Sequence, residues 1–211
     1  MTVGEDYPMK NYPALWLIPA AILILSACTG PTNPLAEYNP VTPPTALTVP
    51  TPDPARASAY DADTVERGQY LVELLGCASC HTDGALLGRP SEGAHLSGSN
   101  IGIAYTNPLA SANPGVVYPG NLTPDKATGL GDWSDDDIVA VLMRGEGRSG
   151  HRLLPVMPWT AYNRLHEKDA YAIAAYLHSL PAVKHEVPDN VTPGRKAGTP
   201  YVHVGLYYRK D

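Results

Sequence analysis

Two thiols and an imidazole at the spacing Cys77-Ala78-Ser79-Cys80-His81 can do one kind of chemistry better than any other. The cysteines can add across the two vinyl groups of a porphyrin while the histidine lies under its iron, which is covalent haem c attachment. A structural zinc site needs a second pair of ligands, and no cysteine follows Cys80. A thioredoxin-like dithiol opens a helix within an alternating strand and helix pattern, whereas helical runs and Gly/Pro loops surround this pair. A plain disulfide leaves His81 without a task.

A carrier iron needs a sixth ligand. After the apolar leader only Met143 and Met157 offer thioethers. Met143 falls inside an apolar helical stretch and reads as core filler. Met157 lies between Pro155 and Pro158, whose restricted backbone can aim one side chain, and is the expected ligand. Among the histidines His151 is the nearest rival. Arg144, Arg148 and Arg152 precede Met157; Arg148 either pairs with a haem propionate or belongs to a solvated basic loop. Trp133 and Tyr162 either donate to the same groups or pack.

The elements that must hold these groups are helices. A capping pattern at Asp63-Thr64-Val65-Glu66 followed by Leu71, Val72 and Leu75 predicts a helix running into the cysteines. Gly68 inside it implies close approach by another helix, with Tyr176 as the expected contact. A second helix starts at Ser134, with Asp137 at the reciprocal capping position, and ends at Gly145. The last opens near His166 and carries Ala170, Ile173, Ala174 and Leu177 on one face before Pro181. Residues 84–120 run as a long Gly/Ser/Asn/Pro segment, expected to wrap one side of the haem.

Upstream, Ala14 to Ala27 is an apolar run too short to span a bilayer comfortably and reads as an export signal. Leu25-Ser26-Ala27-Cys28 resembles the bacterial lipobox, which implies that Cys28 is lipidated. Glu5 and Asp6 stand where a basic start is expected, so translation is expected to begin at Met9. The Pro/Thr-rich stretch to residue 59 reads as an extended linker that builds no core. The expected division is therefore 1–27 signal, 28–59 lipidated cysteine and linker, 60–185 haem domain and 186–211 extension, with Tyr201 to Leu206 a possible strand or wrapping arm. The 211 residues carry a formal charge of −6 with 44% hydrophobic and 17% charged residues, which is not a nucleic-acid-binding balance.

The motifs extend beyond the cysteines: Arg67-Gly68-x-Tyr70-Leu71, Asn121-Leu122-Thr123-Pro124-Asp125 with Gly129-x-Gly131-x-Trp133-Ser134, Pro155-x-Met157-Pro158 and Ala175-Tyr176-Leu177-x-Ser179-Leu180-Pro181. With these the chain resembles the class I c-type cytochromes, in particular the cytochrome c subunits of bacterial membrane-bound alcohol and sugar dehydrogenases. The resemblance implies an all-α class I cytochrome c fold around one covalent haem c with His81 and Met157 as axial ligands. It also implies an electron carrier without substrate chemistry, periplasmic and lipid-tethered. Its expected partners are a dehydrogenase, a quinol-linked complex or a terminal oxidase. Subunits of that group usually carry three haem motifs where this chain has one, so a free carrier and a subunit of a quinoprotein or flavoprotein dehydrogenase are both open. A gas sensor requires a vacant sixth position, which the Met157 loop disfavours.

Overall fold

A computed structural model describes residue 36, residues 38–41 and residues 47–205. The apolar leader, the Met9 start, Cys28 and Leu206 lie outside the described residues.

Two helices make the frame. α2, Ala62–Leu74, is capped by Asp61, whose carboxylate accepts from the Thr64 amide at 3.0 Å and the Thr64 hydroxyl at 3.1 Å. The cap is thus two residues earlier than the expected Asp63, which instead puts its charge in the first turn. α6, Glu167–Ser179, starts after His166 as expected. The two pack face to face, and Gly68 is the reason they can. A Cβ there would run into the Ala172 carbonyl and stand 2.7 Å from the Tyr176 Cβ. Arg67 clasps the same contact, its Nε donating at 3.0 Å to a largely buried Asp169 carboxylate.

α3 is the single turn Cys77–His81, separated from α2 by Gly76 in a left-handed conformation. α4, Asp135–Arg144, has the full reciprocal cap, Ser134 Oγ accepting from Asp137 N at 3.2 Å and Asp137 Oδ2 from Ser134 N at 2.9 Å. Gly145 ends it with φ of 65°. Val65, Leu71, Val72, Ile138, Val139, Leu142, Ile173, Tyr176 and Leu177 close into one apolar core between α2, α4 and α6. Two further short helices have no clear signal in the pattern, α1 at Pro54–Ala57 and α5 at Trp159–Tyr162.

The fold is largely helical, yet not all-α. Within the long segment, β1 (Gly102–Ala104) pairs antiparallel with β2 (Val116–Val117), and β3 (Tyr201–His203) from the C-terminal extension adds parallel to β1. Val191 makes a second contact with Val116, exchanging backbone hydrogen bonds of 2.9 and 2.8 Å. The strands are too short for any alternation to show in sequence, and β3 lies about a hundred residues from the strand it joins.

The proline-rich stretch is also partly folded. Val49 is buried in the core, Tyr176 Oη donates to the Pro50 carbonyl at 2.6 Å, and the Asp53 amide donates to the Ser179 carbonyl at 2.8 Å. Further out, Tyr38 meets Tyr201 edge to face with ring centres 6.3 Å apart and hydroxyls at 3.2 Å. Prolines, having no amide to donate, offer carbonyls instead, and α6 takes one up through Tyr176.

Candidate haem site

α3 presents both thiols and the imidazole from one turn. Cys77 and Cys80 are free thiols, not a disulfide. Burial raises both, pushing Cys77 up to about 12. His81 Nδ1 donates to the Gly120 carbonyl at 2.7 Å. That bond assigns the proton to Nδ1 and leaves the Nε2 lone pair free for a metal. Desolvation lowers the affinity of the ring for a second proton, with the Gly120 carbonyl opposing it, so the ligating neutral form is favoured. His81 lies deep in the protein and still keeps accessible surface, as do Cys77 and Cys80.

Residues on both sides of Gly120 hold it in place, among them the Asn121-to-Asp125 motif. The His81 carbonyl accepts from the Gly98 amide at 2.8 Å, and Thr82 Oγ1 accepts from the Leu96 amide at 3.1 Å, so the chain leaving the haem turn is stitched to residues 96–98. On the other side of Gly120, Asn121 Oδ1 accepts from the Thr123 amide at 2.9 Å and hydroxyl at 2.8 Å, while its Nδ2 donates to Val183 O at 2.8 Å. Asp125 accepts from Thr128 N and Oγ1, both at 2.8 Å, which lowers its pKa. The Asn121-to-Asp125 motif is therefore a polar knot that clamps the loop carrying the Gly120 carbonyl against the segment after α6. Asn and Asp in a Gly/Thr-rich run are the signal that points to it.

Met157 is half-buried against the core in the turn between Pro155 and α5, with its carbonyl accepting from the Trp159 amide at 2.8 Å. Met143 is also half-buried against the core, within α4. His151 is exposed. His185 Nδ1 donates to Ser97 O at 2.9 Å while its Nε2 accepts from Asn100 Nδ2 at 3.0 Å, so both its nitrogens are engaged.

Trp133 is half-buried just before α4, and the Arg148 guanidinium lies 5.8 Å from its ring and 3.6 Å from the Asp137 carboxylate. Arg152 sits similarly over Trp159 at 5.7 Å. The two arginines belong to a hairpin, closed by the Glu146 and Arg152 bridge, that borders a polar groove with Asp137 and Glu146. Tyr162 lies between α2 and the haem turn. Its hydroxyl donates to Leu75 O at 3.4 Å, and burial together with the Cys77 and Cys80 charges pushes it up to about 12, which puts it on the thiol side of the site.

One helical turn that supplies two free thiols and an imidazole with its distal nitrogen kept available defines a protein built to carry iron porphyrin covalently. Residues 65–181 match the cytochrome c family. The chain belongs to that family, and covalent haem and electron transfer come with membership. A nicotinate dehydrogenase subunit of Pseudomonas putida is 32% identical over 155 residues, covering 74% of this chain and 11% of the relative. The fructose dehydrogenase cytochrome subunit of Gluconobacter japonicus is 35% identical over 125 residues, 59% of this chain and 23% of the relative. The alcohol dehydrogenase (quinone) cytochrome c subunit of Gluconobacter oxydans is 32% identical over 138 residues, 63% and 26% respectively. The chain thus spans about a quarter or less of the length of these curated relatives.

Proposed function

We propose that this protein is a lipid-tethered, single-haem electron carrier of the bacterial periplasm, with His81 and Met157 as axial ligands and Cys28 as the acylated residue. The observation that carries the reading is the α3 turn, with two free thiols beside an imidazole whose Nδ1 is held by Gly120. Cys77 and Cys80 would hold the porphyrin, and His81 and Met157 would ligate its iron. When bound, the haem supplies a one-electron couple, and a thioether sixth ligand raises its potential relative to a second imidazole. The protein's part is to keep His81 oriented and neutral and to exclude water around it. Arg148 and Trp133 are proposed to act toward the propionates, supported by their stacking on each other beside the capped end of α4.

Optical spectra of the exported protein in both redox states, with CO added to the reduced form, test this. A low-spin spectrum indifferent to CO, with the far-red sulfur-to-iron band when oxidised, supports His81 and Met157 ligation. Ready CO binding overturns it and favours a sensor.

A second reading is supported by the relatives' names, several of which are cytochrome subunits of dehydrogenases. In it this chain is the electron-accepting subunit of such a complex. Co-purification with a quinoprotein or flavoprotein separates it from a free carrier.

A further inference from the structure

Trp159 opens α5 just after Met157, and it is fastened to both ends of the loop that carries the thioether. Its amide donates to the Met157 carbonyl at 2.8 Å. Its indole Nε1 donates back across the loop to the Leu153 carbonyl at 3.1 Å. Leu153 in turn donates its amide to the Gly145 carbonyl at 2.7 Å. The indole also lies directly against Gly145, where an added Cβ would stand 2.6 Å from Cδ2 and Cε2 of the ring. The Arg152 guanidinium lies over the ring, 5.7 Å from its centre.

Gly145 is the residue that ends α4, and α4 reaches the apolar core through Ile138, Val139 and Leu142. One aromatic side chain therefore ties the Met157 loop to the core by way of α4. The loop itself supplies little to hold it. Pro155 and Pro158 have no amide to donate, and Leu154, Pro155 and Pro158 are exposed. Tryptophan suits the task, because its rigid ring brings a large contact area while its N–H fixes the direction of that contact.

We propose that Trp159 is a positioning residue for the iron's sixth ligand: it ties residues 153–157 to the end of α4 and so holds the Met157 sulfur ready for the iron. The proposal rests on the preceding reading of Met157 as that ligand. A neutral thioether competes with external ligands through proximity, and a loop free to move loses that advantage.

The test uses the haem-loaded full chain, with imidazole as the external ligand of the oxidised iron. Loss of the far-red sulfur-to-iron band on titration gives the apparent imidazole affinity, which rises as the thioether is held less well. Trp159→Phe keeps a ring against Gly145 and deletes the bond to Leu153, and is expected to tighten imidazole binding by about tenfold, the worth of one hydrogen bond. Trp159→Leu removes the ring as well and is expected to tighten it further. Arg67→Ala, which opens the α2 and α6 clasp instead, is expected to stay within about twofold of the parent protein. A shift of less than about threefold in Trp159→Phe overturns the proposal. An equal shift in Arg67→Ala also overturns it, because the fold as a whole has then loosened. Should Trp159→Leu fail to load haem, Trp159→Phe alone decides. The band reports the underlying reading separately. Its absence from the parent protein, or its survival in Met157→Ala, removes Met157 as the ligand and the role of Trp159 with it, whereas a normal band with unchanged imidazole affinity removes only the role of Trp159.

Discussion

The helical frame and the peripheral cover of this protein are held together in different ways. α2, α3, α4 and α6 meet through apolar side chains spaced three and four apart, with Gly68 permitting the central contact. The cover, made of residues 84–120, residues 183–205 and the docked linker, is joined by backbone and side-chain hydrogen bonds over long sequence distances, such as Tyr118 N to Asn190 Oδ1 at 2.9 Å and Thr199 Oγ1 to the Tyr118 hydroxyl at 3.0 Å. The frame positions the haem turn, while the cover positions the carbonyl that orients His81. Both hold the geometry of the His81 imidazole.

The comparison can be broken most severely at the haem turn. His81→Ala, or Cys77→Ala with Cys80→Ala, is expected to abolish stable covalent holoprotein, read by haem stain after denaturing electrophoresis. Gly68→Val follows. Because the obstruction is the Ala172 backbone and not a flexible side chain, a loss of about 3 kcal/mol or more is expected in urea unfolding of the holoprotein.

The cover should respond more mildly. Tyr176→Phe keeps the ring in the core and deletes the bond to Pro50, so a loss of about 1 to 2 kcal/mol is expected. Limited proteolysis should show faster cleavage around residues 47–53. Within the frame, Ser134→Ala, which removes one half of the α4 capping box, is expected to cost about 1 kcal/mol in the same unfolding assay.

The smallest effect is a pH dependence within the frame. Hydrogen bonding from Arg67 holds Asp169 below its ordinary pKa. A carboxylate depressed in the folded state contributes stability above its unfolded pKa of about 3.9, and loses it as pH falls through the lower native value. Arg67→Ala should therefore flatten the decline in urea midpoint below about pH 4, while lowering the midpoint slightly at pH 7.

What is legible in the sequence divides along the same line. The α2 and α6 contact, Tyr176 opposite Gly68, and the Ser134 and Asp137 box follow from periodicity and local capping, because the groups that interact lie within a few residues or repeat on one helix face. The haem turn is legible because its chemistry demands contiguous residues. Gly120 is not, since a carbonyl carries no side-chain signature and its place opposite His81 depends on the Asn121 knot and on Val183 beyond α6. The docking of residues 49–53 escapes the sequence for a related reason. Proline-rich composition argues against a self-made core, but it does not prevent carbonyls from being taken up by a preformed helix. The short β1, β2 and β3 pairings have too few residues for alternation to register.

The stitch between Thr82 and Gly98 on one side, and the Asn121 to Thr128 knot on the other, lie between the β1 and β2 hairpin and His81. Its connecting residues 107–113 mostly face outward, with short turn contacts such as Leu109 N to Asn107 Oδ1 at 2.9 Å and one long-range bond, from Gly194 N to Asn113 O at 2.9 Å. That makes the hairpin a natural insertion point. A peptide tag, a binding loop or a second electron-carrying module could be grafted between Asn107 and Asn113 with the His81 orientation insulated from the change, turning this cytochrome into a chassis for wiring a haem to a chosen surface.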